Sequence, residues 1–127
     1  MVMIIDDDKD DCDIFRDAAS EVTDCKCHCV HDSRIALTLL DKSPTLPNCI
    51  FLDINMPVLD GFGVLTRIKN NPRLANIPVV MYSTTPNPKE AERSLELGAS
   101  RFVRKTADFS KLVQLLREVK ADLVDPQ

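Results

Sequence analysis

A parallel α/β fold, with five strands and five helices in (βα)5 order, is the class this sequence predicts. Five short apolar runs recur along the chain, stretches with helical apolar spacing separate them, and no linker or composition break divides the 127 residues. Alternation of this kind, joined by right-handed crossovers, gives a doubly wound sheet covered by helices on both faces. Residues 1–127 are expected to form one domain.

Val2 to Ile5 is the first strand candidate, and Ile14, Phe15, Ala18, Ala19 and Val22 follow it with helical spacing. Cys25 to Val30 is the second strand. Ile35, Ala36, Leu39 and Leu40 mark the helix after it, with Ser33 placed to cap that helix. Pro44 and Pro47 break the next connection, and Cys49 to Leu52 reads as the third strand. Val64, Leu65 and Ile68 belong to a third helix that Asn71-Pro72 ends. Ile77 to Tyr82 is the fourth strand, Gly98 stands where a left-handed residue would close the fourth helix, and Arg101 to Arg104 is the fifth strand. Phe109, Leu112, Val113, Leu116, Val119 and Leu123 form an apolar stripe down one long final helix.

Composition narrows the function classes. An apolar fraction of 44% and a charged fraction of 28% describe an ordinary soluble domain, large enough to stabilise itself without disulfides or a structural metal. No apolar run approaches the roughly 20 residues of a membrane span and no signal peptide opens the chain, so a cytoplasmic location is expected. The net charge of −4 opposes nonspecific binding to nucleic acid or to an anionic membrane. Six of the eight residues from Asp6 to Asp13 are aspartates; without those six the chain has 14 acids against 16 bases. The acidity is therefore local.

Five cysteines, an odd number without an export signal, argue against a disulfide framework. Cys25, Cys27, Cys29 and His31 alternate in a pattern that can be read as a metal site, but neighbours on one strand face lie about 7 Å apart. Two thiolates on one zinc lie within about 4.6 Å of each other. Small side chains packed beneath a strand are the better reading, with His28 and His31 at the surface or a strand end, and no basic neighbour marks any thiol as activated.

In open parallel sheets, ligands bind beyond the carboxyl ends of the strands. Asp6 and Asp7 follow the first strand, Asp53 ends the third, Ser83 and Thr84 end the fourth, and Lys105 ends the fifth. Three gathered carboxylates repel one another unless a cation neutralises them. Mg2+, or Mn2+, suits such oxygen donors, with Asp7 a direct ligand, Asp6 helping directly or through water, and Asp53 giving one oxygen to the metal and using the other as nucleophile. Phosphoryl transfer to a carboxylate needs positioning and charge neutralisation, which the Lys105 ammonium and the Ser83 hydroxyl would complete.

These residues resemble the receiver domains of two-component response regulators over nearly the whole chain. The resemblance is carried by Ile4-Ile5-Asp6-Asp7-Asp8, by Phe51-Leu52-Asp53-Ile54-Asn55-Met56-Pro57 with Asp60-Gly61, by Ile77-Pro78-Val79-Val80-Met81-Tyr82-Ser83, and by Gly98-Ala99-Ser100-Arg101-Phe102-Val103-Arg104-Lys105. It implies a CheY-like, flavodoxin-like sheet of strand order 2-1-3-4-5. It implies Asp53 as phosphoacceptor, Asp6 and Asp7 as the acidic pair, the Asn55 backbone carbonyl as a further metal ligand, Ser83 and Phe102 as the switch pair, and Lys105 as the phosphate-binding lysine. Asn55, Thr84 and Thr85 would tune access to the phosphoryl group. The implied partners are a histidine kinase or histidine phosphotransfer protein, and a downstream protein met by the surface of the fourth helix, fifth strand and fifth helix. The domain itself would be a signalling phosphoacceptor rather than an enzyme, with no output domain in the chain.

Two residues depart from the family pattern. Thr106 follows Lys105 where a proline in a cis peptide is usual, and a cis bond to Thr costs about 2.5 to 4 kcal/mol. Either a trans bond with a displaced Lys105 or a strained cis bond is expected. Thr84 is bulkier than the residue common there, which would slow loss of the phosphoryl group. A Mg-dependent aspartyl-phosphate phosphatase of haloacid-dehalogenase type is the alternative reading of Asp6-x-Asp8, but that family needs Thr or Val where Asp10 stands and a late acidic motif. An EF-hand calcium loop has Asp11 where the turn needs Gly, and a flavodoxin phosphate loop would have to be built from aspartates.

Overall fold

The β-branched and apolar runs of the chain pair through their backbones into a parallel sheet, and the amphipathic segments between them close over it. The computed structural model describes residues 1–84 and 87–124. In chain order the elements are β1 (Val2–Ile5), α1 (Lys9–Ser20), β2 (Cys27–Val30), α2 (Ser33–Lys42), β3 (Cys49–Asp53), α3 (Gly61–Lys69), β4 (Val79–Ser83), α4 (Pro88–Glu96), β5 (Arg101–Arg104) and α5 (Phe109–Val119). The sheet order is β2-β1-β3-β4-β5, all parallel, as the sequence implied.

Because side chains alternate across a strand, each central strand feeds two separate cores. Met3, Ile5, Ile50, Leu52, Val79 and Met81 face α2 and α3, where they meet Ala36, Leu40, Val64, Leu65 and Ile68. Val2, Ile4, Phe51, Val80 and Tyr82 face α1 and α5, against Phe15, Ala18, Leu112, Leu116 and Val119. On that second face Phe15, Phe51 and Tyr82 pack edge to face, with centroids 4.8 to 6.2 Å apart.

Every helix begins with an acidic or amide cap. Asp8, Asp32, Asp60, Asn87 and Asp108 each accept a hydrogen bond from a backbone N–H of the first turn. The expected cap Ser33 is instead the first helical residue of α2 and is buried; Asp32 has the extended backbone and the acceptor oxygen that the position requires. The last helix also departs from expectation. Regular α5 stops at Val119 and a π-helical turn, Lys120–Val124, carries the stripe to Leu123, while Phe109 at its start stays 43% exposed.

The cysteines behave as packing residues. Cys12 and Cys49 are buried, Cys25, Cys27 and Cys29 are half-buried against the α1 and α5 face, and burial raises the thiol of Cys49 to about 12. His28 and His31 are exposed, His31 just past the end of β2. Gly98 has φ +103° after α4, and the Lys69 stem lies over it while its ammonium donates to the carbonyls of Ala75 and Ile77. Among the described residues no helix is long and apolar enough to cross a membrane.

One contact ties the helical layer to the sheet edge. A Cβ on Gly61 would lie 2.4 Å from the Asp53 carbonyl oxygen and 2.7 Å from the Ile54 Cα, both backbone atoms that cannot swing aside. Gly61→Ala is expected to cost about 1 to 3 kcal/mol through overpacking, read as a lower midpoint in urea unfolding; an unchanged midpoint would show that α3 shifts freely.

Candidate functional site

The strand ends deliver the site. The backbone N–H of Asp6 extends the β1–β2 ladder to the Val30 carbonyl at 3.0 Å, and that of Lys105 extends the β4–β5 ladder to the Ser83 carbonyl at 2.7 Å. Asp6, Asp53 and Ser83 are buried at the carboxyl edge of the sheet, and Asp7 is exposed beside them. Beyond Asp53 the chain turns tightly: Met56 anchors in the core, Pro57 accepts from the Leu59 N–H, and the Gly61 N–H returns to the Ile54 carbonyl at 2.8 Å. Val58, 82% exposed, takes the left-handed conformation at φ +69°, an uncommon state for a β-branched residue.

Lys105 is the centre of the charge distribution. Its Nζ lies 2.6 Å from Asp6 Oδ2, 2.8 Å from Asp11 Oδ2 and 3.4 Å from Asp53 Oδ1. It also sits over the Tyr82 ring, 5.5 Å from the centroid. None of the described peptide bonds is cis, so Lys105–Thr106 takes the trans alternative, and the ammonium lies nearer Asp6 and Asp11 than Asp53.

One ammonium does not neutralise this many acids. Burial and the neighbouring Asp6 charge push the Asp53 carboxyl up to about 7, against the pull of Lys105. Burial likewise raises Asp6, although its carboxylate accepts from Lys105 and from the Asp8 N–H. Burial alone would lower Lys105, but hydrogen bonds to Asp11 and Asp6 hold it above the usual lysine range. Carboxylate oxygens of Asp6, Asp7 and Asp53 lie within 4.8 Å of one another. Opposed oxygens around Mg2+ stand about 4.2 Å apart, so a small side-chain closure suits this donor set to a hard divalent ion.

Ser83 supplies a second mark of an absent partner. Its hydroxyl oxygen is buried and has no hydrogen-bond partner among the described residues. Such a group costs about 1 to 3 kcal/mol until something satisfies it. Asn55 is exposed and its backbone N–H donates to the Asp53 carboxylate. Thr84 is exposed and lines, with Asp11, Ile14, Tyr82, Lys105 and Thr106, a cleft of about 260 Å3 beside the ammonium. Phe102 is half-buried against the α2 and α3 core. Thr85 lies outside the described residues. Three participants escaped the sequence reading: Asp11, and the pair His31 Nδ1 and Cys12 Sγ, which approach the Asp6 carbonyl at 3.1 and 3.5 Å.

Residues 2–117 match the model of the response regulator receiver domain. The chain belongs to that family. The receiver domain is 29% identical to the response regulator Rcp1 of Synechocystis over 128 residues, which cover 95% of this chain and 86% of that one. A structure of Rcp1 in its Mn2+-bound form superposes with a TM-score of 0.84 at 26% identity, covering 99% and 95% of the two chains. The phosphorylated cyanobacterial phytochrome response regulator RcpA superposes with a TM-score of 0.84 at 30% identity, over 94% and 89%. A probable cyclic di-GMP phosphodiesterase of Vibrio cholerae is 30% identical over 111 residues, and this receiver domain spans 24% of its length.

The raised Asp53 carboxyl makes stability fall with pH in metal-free protein. Between the unfolded value near 3.8 and about 7, the native state holds a proton that the unfolded chain releases. Stability is therefore lost as pH rises through that window, with a limiting slope of about 1.4 kcal/mol per pH unit for one such group. Calorimetry in a chelator should show the Asp53→Asn variant losing less than wild type between pH 5 and about 7.5, and Mg2+ should raise the wild-type midpoint at the upper end. Identical pH slopes for the two proteins would refute the shift.

Proposed function

We propose that the protein is the phosphoacceptor of a two-component phosphorelay, taking a phosphoryl group onto Asp53 from a phosphohistidine of a histidine kinase or histidine phosphotransfer protein. The observation that carries this reading is the convergence on Asp53 of two further carboxylates and one ammonium, with a buried hydroxyl, unpartnered among the described residues, at the end of the adjacent strand β4. Asp6, Asp7, Asp53 and the Asn55 backbone carbonyl are the proposed ligands of Mg2+ or Mn2+. When bound, such an ion neutralises the carboxylates and the charge on the transferring oxygens.

A carboxylate oxygen of Asp53 attacks phosphorus, an O–P bond forms, the P–N bond breaks, and the electron pair returns to the donor imidazole. The Lys105 ammonium faces one phosphoryl oxygen. The Ser83 hydroxyl donates to another, which satisfies it. A phosphoryl group adds about −1.5 to −2 charge, and a shift of Ser83 toward it opens space that Phe102 fills from the neighbouring strand. Output passes to a downstream protein through the face of α4, β5 and α5. The domain acts on itself and needs no turnover of a separate substrate. The phosphorylated state of RcpA and the Mn2+-bound state of Rcp1 support the reading. The haloacid-dehalogenase alternative gains no support from the family match.

Incubation with acetyl phosphate and Mg2+ should add about 80 Da, one phosphoryl group, to wild type and nothing to Asp53→Asn by intact mass; an adduct on both, or on neither, would exclude Asp53 as acceptor. Thr84 lines the approach to the ammonium, so Thr84→Ala should shorten the phosphoryl lifetime by roughly threefold, less than a 1.36 kcal/mol change in barrier. An unchanged decay of the mass adduct would remove Thr84 from the set that governs access.

A further inference from the structure

The phosphoacceptor reading assigns Lys105 to a phosphoryl oxygen, yet in the structure its two short contacts go elsewhere. The ammonium has three N–H donors. Asp6 takes one at 2.6 Å and Asp11 another at 2.8 Å, while Asp53 stands at 3.4 Å. The two short partners differ in freedom. The Asp6 side chain is 0% exposed and also accepts from the Asp8 N–H, so it is locked in place. The Asp11 side chain is 34% exposed in the first turn of α1, at the rim of the cleft that leads to the ammonium. It is the contact able to yield.

We propose that Asp11 is a positioning residue that holds the Lys105 ammonium on the α1 side of the site and thereby slows capture of the phosphoryl group by Asp53. The proposal rests on the phosphoacceptor reading and adds to it a brake supplied by α1. For a phosphoryl oxygen to gain the full charge of Lys105, the ammonium must move away from Asp11 or share its charge with it. Either adds to the barrier of the transfer step, because the pair is partly shielded from solvent and its attraction is only partly screened. The Tyr82 ring, 5.5 Å from the ammonium, bounds one side of its surroundings. Asp10 is an ordinary surface acid by comparison: it shares the first turn of α1 but is exposed and forms no ion pair with Lys105.

The test compares wild type with Asp11→Asn, Asp11→Glu and Asp10→Asn, using phosphoramidate as donor and saturating Mg2+, with intact mass as readout. Asparagine keeps an oxygen acceptor and removes the charge. Asp11→Asn should raise the rate at saturating phosphoramidate by about three- to fivefold, the upper end of what one partly exposed ion pair contributes. Asp11→Glu should return it toward wild type, and Asp10→Asn should stay within about twofold of wild type, the residual effect of a screened surface charge. Mere loss of repulsion toward an anionic donor would lower the half-saturating donor concentration and leave the saturating rate unchanged. Retained thermal stabilisation by Mg2+ checks that each variant keeps the acidic site. An unchanged or slower Asp11→Asn, or equal acceleration by Asp10→Asn, overturns the brake while leaving Asp53 as acceptor. Absence of an adduct on wild type overturns the acceptor reading and the brake with it.

Discussion

Asp6 and Lys105 are 99 residues apart in the chain, and their 2.6 Å contact is the constraint around which the sheet edge is organised. It bridges the end of β1 to the end of β5 across two intervening strands, so it requires the whole strand order to be in place. It is also incomplete. One ammonium among Asp6, Asp11 and Asp53 leaves an excess of buried negative charge, which raises the Asp53 and Asp6 carboxyls instead of settling them. A buried ion pair of this composition is weak evidence for stability. Under the proposed function it is a site built to receive further charge: a divalent cation on the carboxylate side and an anionic group beside the ammonium and the Ser83 hydroxyl, which has no partner among the described residues.

How much of this was legible in the sequence follows from the range of each interaction. Strand positions were readable because apolar runs and their boundaries are local signals, and the rule that ligands bind at strand ends turns those positions into Asp6, Asp7, Asp53, Ser83 and Lys105. The strand order itself was not written in the periodicity; it came from the resemblance to receiver domains. Helix starts were misread where a better residue stood one position earlier, as Asp32 does before Ser33. The Asp11 contact was invisible for a different reason. Whether a first-turn carboxylate faces solvent or a lysine from β5 depends on how α1 lies against the sheet, a tertiary fact that local spacing does not encode.

The acidic run from Asp6 to Asp13 resolves into distinct roles. Asp6 and Asp7 belong to the carboxylate cluster, Asp8 caps α1, Asp11 pairs with Lys105, and Asp10 and Asp13 are exposed. The negative charge that set this segment apart is therefore only partly chemical in purpose. One aspartate serves the backbone, and Asp10 in the first turn of α1 places negative charge near the positive end of the helix dipole, where it is favourable.

The packing of the cysteines gives the molecule an internal reporter. Cys12 and Cys49 have no solvent exposure, and burial holds both thiols protonated far above neutral pH, so neither offers a reactive thiolate while the fold is closed. They stand on opposite sides of one packed layer, in α1 and at the start of β3. Alkylation of these two positions thus measures how often that layer opens, and does so from within the native chain: Cys12, whose Sγ lies 3.5 Å from the Asp6 carbonyl, reads the end beside the charged edge, and Cys49 at the start of β3 reads the other end of the strands.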